Sequence, residues 1–114
     1  MKNSIKTGAE FSNVYKEKRS AANRQLVMYI RKNDRGANRI GISVSKKVGN
    51  SVVRHRITRL IRESFRLNNY KLKIGYDIVV IARTGAIDKG YDEISRSFLH
   101  LAGLHGLIKR DDIS

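Results

Sequence analysis

DIVVIAR, residues 77–83, is the stretch that decides the architecture. Ile78, Val79, Val80 and Ile81 are consecutive and apolar, so both faces of any strand they form are apolar. A strand with one wet face alternates in character; this one does not, which suits a central strand covered on both sides. The neighbouring strands read differently. In RIGISVS, residues 39–45, Ile40, Ile42 and Val44 point one way and Gly41, Ser43 and Ser45 the other. In NRQLVMYIRK, residues 23–32, Leu26, Met28 and Ile30 share a face opposite Val27, Tyr29 and Arg31. The turn-forming NDRGAN at 33–38 lies between these two runs and predicts a hairpin.

Helices flank the strands. Thr7 and Glu10 have the spacing of a capping box, followed by Phe11, Val14 and Tyr15 at i, i+3 and i+4. The closing stretch 90–110 places Ile94, Phe98, Leu101, Leu104 or His105, and Ile108 near helical spacing. Phe65 and Phe98 are expected in the core. With the basic segment below, the order read from periodicity is α-β-β-α-β-α, an α+β sandwich. At 114 residues, with no repeat, linker or low-complexity tract, residues 1–114 are expected to form one domain.

The charge is lopsided. The chain carries a formal +14, yet residues 77–114 hold five basic and six acidic side chains against 19 and four in residues 1–76. Positive charge gathered in one portion points to an anionic partner, nucleic acid before membrane. Its densest part is KKVGNSVVRHRITRLIRESFR, residues 46–66, where five arginines and two lysines face the single acid Glu63. On a wheel of about 100° per residue with Arg54 at the origin, Val53, Ile57, Leu60, Ile61, Ser64 and Phe65 form an apolar stripe. His55, Arg59, Arg62 and Arg66 fall between about 80° and 140°, and Arg56 near 200°. Arg54 is the misfit, lying inside the apolar stripe. Solvated helix faces mix signs to gain i,i+4 pairs, whereas here Arg62 and Arg66 are like charges at that spacing. A polyanion relieves the repulsion and releases counterions.

The chain has no cysteine, which excludes disulfides and thiol catalysis. His55, His100 and His105 lack metal-ligand spacing, KKVGN lacks the Walker spacing, and Asp111 and Asp112 sit at the terminus, so no catalytic or metal-binding constellation is expected. Asp77 reads as a residue at a turn or the start of a strand. No apolar run approaches the ~18 residues of a membrane span, and MKNSIKTGAEF lacks a secretory apolar stretch, so a cytoplasmic location is expected and no membrane partner. Phe11, Tyr15 and Tyr29 form a second constellation. From the residues alone they read first as ordinary core packing, with rings on which single-stranded RNA bases stack as the alternative.

SVSKKVGNSVVRHRITRLIRESFR, residues 43–66, resembles the signature of the bacterial ribonuclease P protein subunit family. EFSNVY at 10–15, ANRQLVMY at 22–29 and DIVVIAR are similar to family segments in the same order. The chain departs from the family pattern at Ser51, usually alanine, His55, usually asparagine, and Thr58, often lysine.

The resemblance implies an α-β-β-β-α-β-α sandwich (ribosomal protein S5 domain 2-like) with a left-handed βαβ crossover, one strand more than the periodicity reveals. It implies an accessory subunit of a ribonucleoprotein endonuclease that removes the 5′ leader of precursor tRNA. The RNA subunit carries the active site and its magnesium, and the protein has no cofactor of its own. By the same resemblance Lys46, Lys47, Asn50, Arg54, His55, Arg56, Arg59, Arg62 and Arg66 bind the RNA, and Phe11, Tyr15 and Tyr29 line the leader cleft. A ribosome-associated RNA-binding protein lacking that cleft is the alternative. A DNA regulator is disfavoured by the absence of a dimerisation element or a short helix pairing before the basic helix. The oligomeric state is left open.

Overall fold

The computed structural model describes residues 3–110. The order of elements is α1 (Gly8–Lys16), β1 (Ser20–Ala22), β2 (Leu26–Lys32), β3 (Arg39–Ser43), α2 (Ser51–Asn68), β4 (Tyr76–Ala82) and α3 (Tyr91–Leu104), with short 3₁₀ turns at Asn69–Lys71 and Thr84–Ala86. This is the α-β-β-β-α-β-α order that the resemblance implies. The strand that periodicity missed is β1, only three residues long, and too short to show a pattern of its own. It pairs antiparallel with β2, placing Ser20 opposite Tyr29.

The four strands lie in the order β1-β2-β4-β3. DIVVIAR is central as expected: Ile78, Val79 and Val80 are fully buried, with β2 antiparallel on one side and β3 parallel on the other. The expected β2–β3 hairpin does not form. A hairpin would push β4 to an edge, leaving one side of its backbone unpaired in the most apolar strand of the chain. The 33–38 turn instead steps across the start of β4 and clasps it. Asn33 N–H donates to the Gly75 carbonyl at 2.7 Å, and Tyr76 N–H donates to the Asn38 side chain at 2.9 Å. The Asn38 amide donates in turn to the Lys73 carbonyl at 3.0 Å. β3, α2 and β4 therefore form a parallel crossover.

Two cores result. On one face of the sheet Leu26, Met28, Ile30, Ile40, Ile78 and Val80 meet Ile57, Ile61 and Phe65 of α2 and Ile94, Phe98 and Leu101 of α3. Phe65 and Phe98 pack edge to face at 6.4 Å, as their expected core role requires. On the other face Ile5, Val14 and Val79 form a smaller cluster beneath α1. The capping box of α1 is present: Glu10 N–H donates to Thr7 Oγ1 at 3.1 Å, and Thr7 N–H to Glu10 Oε1 at 3.2 Å.

The closing helix stops sooner than its spacing suggests. Leu104 is exposed, Gly106 turns the chain at φ +72°, and Leu107 N–H donates back to the Ala102 carbonyl at 2.9 Å. This glycine-reversed end returns Leu107, not Leu104, to the core. His105 Nε2–H donates to the Met28 carbonyl at 2.9 Å, so it is a satisfied structural histidine. Asp111 and Asp112 lie outside the described residues.

An ion-pair cluster ties α1 to the sheet. Arg39, at the start of β3, donates from Nε and Nη2 to both oxygens of Asp77 at 2.8 Å, and from Nη1 to Glu10 at 2.6 Å. Asp77 is thus a buried strand residue with a partner rather than a turn residue. Burial pushes its carboxyl up, but Arg39 and the Asn33 amide outweigh that and hold it below its ordinary value. Arg39, followed by the backbone N–H groups of Lys6 and Thr7, lowers Glu10 from 4.5 to about 2.

Both carboxylates have depressed folded-state values. Their stabilising effect is therefore complete above the ordinary carboxylate range and is lost as pH falls through the folded values. Asp77→Ala should cost about 3 kcal/mol in urea denaturation at pH 7, because it removes the two-point partner of a largely buried guanidinium and leaves it only Glu10. The difference from the parent should shrink as pH falls below the ordinary aspartate value and through the lowered folded value of Asp77. A pH-independent difference would mean that the cluster does not act through charge.

Candidate nucleic-acid interface

Two surfaces carry the chemistry, one on each side of the sheet. The first is α2 with the turn before it. Lys46 and Lys47 are exposed in that turn, which Val48 pins to the core. Gly49 is required where the chain enters the helix, since a Cβ there would lie 2.8 Å from the Val53 side chain. Asn50 is the N-cap: its side-chain oxygen accepts from Val53 N–H at 3.0 Å, leaving the amide nitrogen outward. No carboxylate occupies the first turn to offset the positive end of the helix.

The arc read from the wheel is present. Ile57, Ile61, Ser64 and Phe65 are buried, while His55, Arg56, Arg59, Arg62 and Arg66 are all exposed. Their states differ in ways that spacing could not reveal. Arg56 Nη2 donates to the Lys89 carbonyl at 2.7 Å, which draws its head toward the loop before α3. Arg66 makes a two-point pair with Glu63 at 2.9 Å, lowering the Glu63 carboxyl and raising the guanidinium. Arg59 and Arg62 have no hydrogen-bond or ion-pair partner among the described residues. Arg54, the wheel's misfit, is half-buried, and its Nε is sealed from solvent without a partner. A shallow groove of about 430 Å³ opens on the opposite side of the sheet, by the Arg39 cluster. It is lined by Arg31, Lys32, Arg35, Asn13 and the carboxylates of Glu10, Asp34 and Asp77.

The aromatic surface lies on that same side. Phe11 and Tyr15 ring centroids are 6.4 Å apart, and Tyr15 meets Tyr29 edge to face at 4.9 Å. All three are half-buried over Val79 and Ile81. Each of the three is therefore partly packed and partly exposed. Burial, and then the neighbouring Tyr29, raise the Tyr15 hydroxyl above its ordinary value. Phe11 comes this close because position 41 is glycine, where a Cβ would lie 2.9 Å from the Phe11 ring. Arg31 follows Tyr29 on this face. Its place was visible in the β2 alternation, whereas the long-range Arg39 cluster left no signal in local spacing. Among the described residues no group of three His, Cys, Asp or Glu side chains could hold a metal ion. No helix among them is long and apolar enough to cross a membrane.

Comparison with known proteins identifies the family. The family model described as Ribonuclease P covers residues 1–104. The Ribonuclease P protein component of Lachnoclostridium phytofermentans is 56% identical over 112 residues, spanning 98% of this chain and 97% of its own. That of Alkaliphilus oremlandii is 47% identical, spanning 93% of each chain. Among solved structures, the RNase P protein of Staphylococcus aureus superposes with a TM-score of 0.83 at 39% identity, covering 94% of this chain and 98% of that one. The Thermotoga maritima protein gives 0.80 at 30% identity, covering 86% and 93%. The chain belongs to the ribonuclease P protein family, the accessory subunit of an RNA-based endoribonuclease that matures the 5′ ends of tRNA.

Proposed function

We propose that the whole chain, residues 1–114, acts as one RNA-binding domain that presents different surfaces to two RNAs. The outer arc of α2, with Lys46 and Lys47, docks on the ribonuclease P RNA, and the half-open rings of Phe11, Tyr15 and Tyr29 hold the 5′ leader of precursor tRNA. The observation that carries the first assignment is the charge of the arc, four arginines against the single acid Glu63, on a helix whose other side is sealed core. Such a face is self-repelling without a polyanion. The half-buried Arg54, whose sealed Nε has no partner, fits the same reading. In this arrangement Arg59 and Arg62 make the phosphate contacts, Arg54 and His55 approach from the first turn, and Asn50 contributes only the half of its amide not used as a cap.

The second assignment is supported by rings that remain partly exposed and by the adjacent Arg31, a pairing suited to single-stranded RNA. The chemistry is supplied by the RNA subunit with magnesium, and the complex works in the cytoplasm. The protein adds affinity by binding both RNAs at once.

Arg59→Ala and Arg62→Ala should each weaken binding to the RNA subunit and reduce the slope of log K against log salt by about 0.7–0.9. Arg66→Ala should do less, because Glu63 competes for that side chain. Unchanged slopes at Arg59 and Arg62 would overturn the docking face. Tyr29→Ala should weaken holoenzyme binding of leader-bearing precursor about tenfold and leave mature tRNA unaffected. Equal losses for both RNAs would remove the cleft assignment.

A further inference from the structure

The arginine arc does not account for the far end of α2. Leu67, Tyr70 and Ile74 are exposed large apolar residues within eight positions, at 45%, 68% and 63%. They sit among cations: Arg66, Lys71 and Lys73 in the same stretch, and Lys109 and Arg110 from the chain's end. A short ribbon joins the two segments. Lys73 N–H donates to the Leu107 carbonyl at 2.7 Å and Lys109 N–H to the Lys71 carbonyl at 2.9 Å, with Leu72 bridged to Ile108. Lys71 and Lys109 are therefore cross-strand neighbours of like charge, a destabilising placement unless an anion lies between them. Among the described residues no carboxylate occurs in 64–76 or 94–110, and Glu63 is already taken by Arg66; Asp111 and Asp112 follow outside the described residues. The Lys71 ammonium lies 5.7 Å from the centre of the Tyr70 ring.

We infer that this end of the molecule is a second contact for the ribonuclease P RNA, with Tyr70 as a stacking platform for an unpaired base and Lys71, Lys73 and Lys109 as phosphate contacts. An exposed ring beside cations that have no ion-pair partner among the described residues suits unpaired nucleotides. A second copy of this chain fits poorly, because it would oppose the same cations. The RNA subunit is favoured as the source by continuity. Tyr70 lies in the 3₁₀ turn that prolongs α2, four positions beyond Arg66, and both side chains are exposed. One surface thus runs along the ~27 Å of α2 and past its end. The inference rests on the assignment of the α2 arc to that RNA.

The test measures affinity of the full chain for the ribonuclease P RNA in Tyr70→Ala, Tyr70→Phe, and Lys71→Gln with Lys73→Gln, beside Arg59→Ala. Tyr70 is exposed, so an unchanged Tm is expected and checks folding. Tyr70→Ala should weaken binding about tenfold and Tyr70→Phe less than about twofold, since the phenyl ring still stacks. The double lysine variant should reduce the salt slope by about 1.4–1.8. The absence of native cysteine permits a second readout. A Lys73→Cys variant carrying a tethered iron chelate should cleave the RNA subunit at a discrete site within the holoenzyme.

If Arg59→Ala weakens binding and the Tyr70 and lysine variants do not, this inference falls and the α2 assignment stands. If the reverse holds, the α2 assignment falls instead. Weakened binding of precursor tRNA alone, or a change only in sedimentation mass, would assign the patch to the substrate or to a second protein copy and overturn it.

Discussion

The two-sided apolarity of β4 is the constraint on which the rest depends. Val79 and Ile81 cannot face water while Ile78 and Val80 face the core, so the sheet must be covered on both sides. α2 and α3 cover one face and α1 the other. β4 must also have a neighbour on each side, so the chain runs β2, then around the start of β4, then β3. The asparagines at 33 and 38 make that detour possible by satisfying the backbone at 73–76, which would otherwise be left open.

The division of labour between surfaces follows from this covering. The same sheet that buries Ile57, Ile61 and Phe65 turns the opposite side of α2 outward with its arginines. On the other face α1 is short and covers little, so the rings of Phe11, Tyr15 and Tyr29 stay half-open. Arg39 holds α1 in place by pairing with Glu10 and Asp77 together. These carboxylates are spent on the scaffold, and Glu63 is spent on Arg66. Two of the four carboxylates in residues 1–76, Glu10 and Glu63, are thereby removed from competition with a polyanion.

Chain order and space part company at the sheet. The 33–38 turn has the composition of a hairpin turn, yet its ends lie on strands separated by β4. Local composition reports that the chain turns, not what passes through the gap. The end of α3 shows the same limit. Leu104 continues the helical spacing, but the left-handed seat at Gly106 redirects the chain, and Leu107 fills the core while the following residues pair with 71–73.

Sequence alone determined what periodicity and charge can encode: the doubly covered strand, the capping box, the buried Phe65 and Phe98, and the two-sided basic helix. Each depends on residues close together in the chain, where spacing maps directly onto a face. Tertiary structure decided strand order, the existence of β1, the Arg39 cluster and which arginines remain unpaired. Those depend on contacts between residues tens of positions apart, such as Arg39 with Asp77 or Arg56 with Lys89, and no local pattern specifies them. The openness of the aromatic rings belongs to the same class. It is a property of how far α1 reaches across the sheet, and the spacing of Phe11 and Tyr15 reads the same whether the far side of each ring is buried or wet.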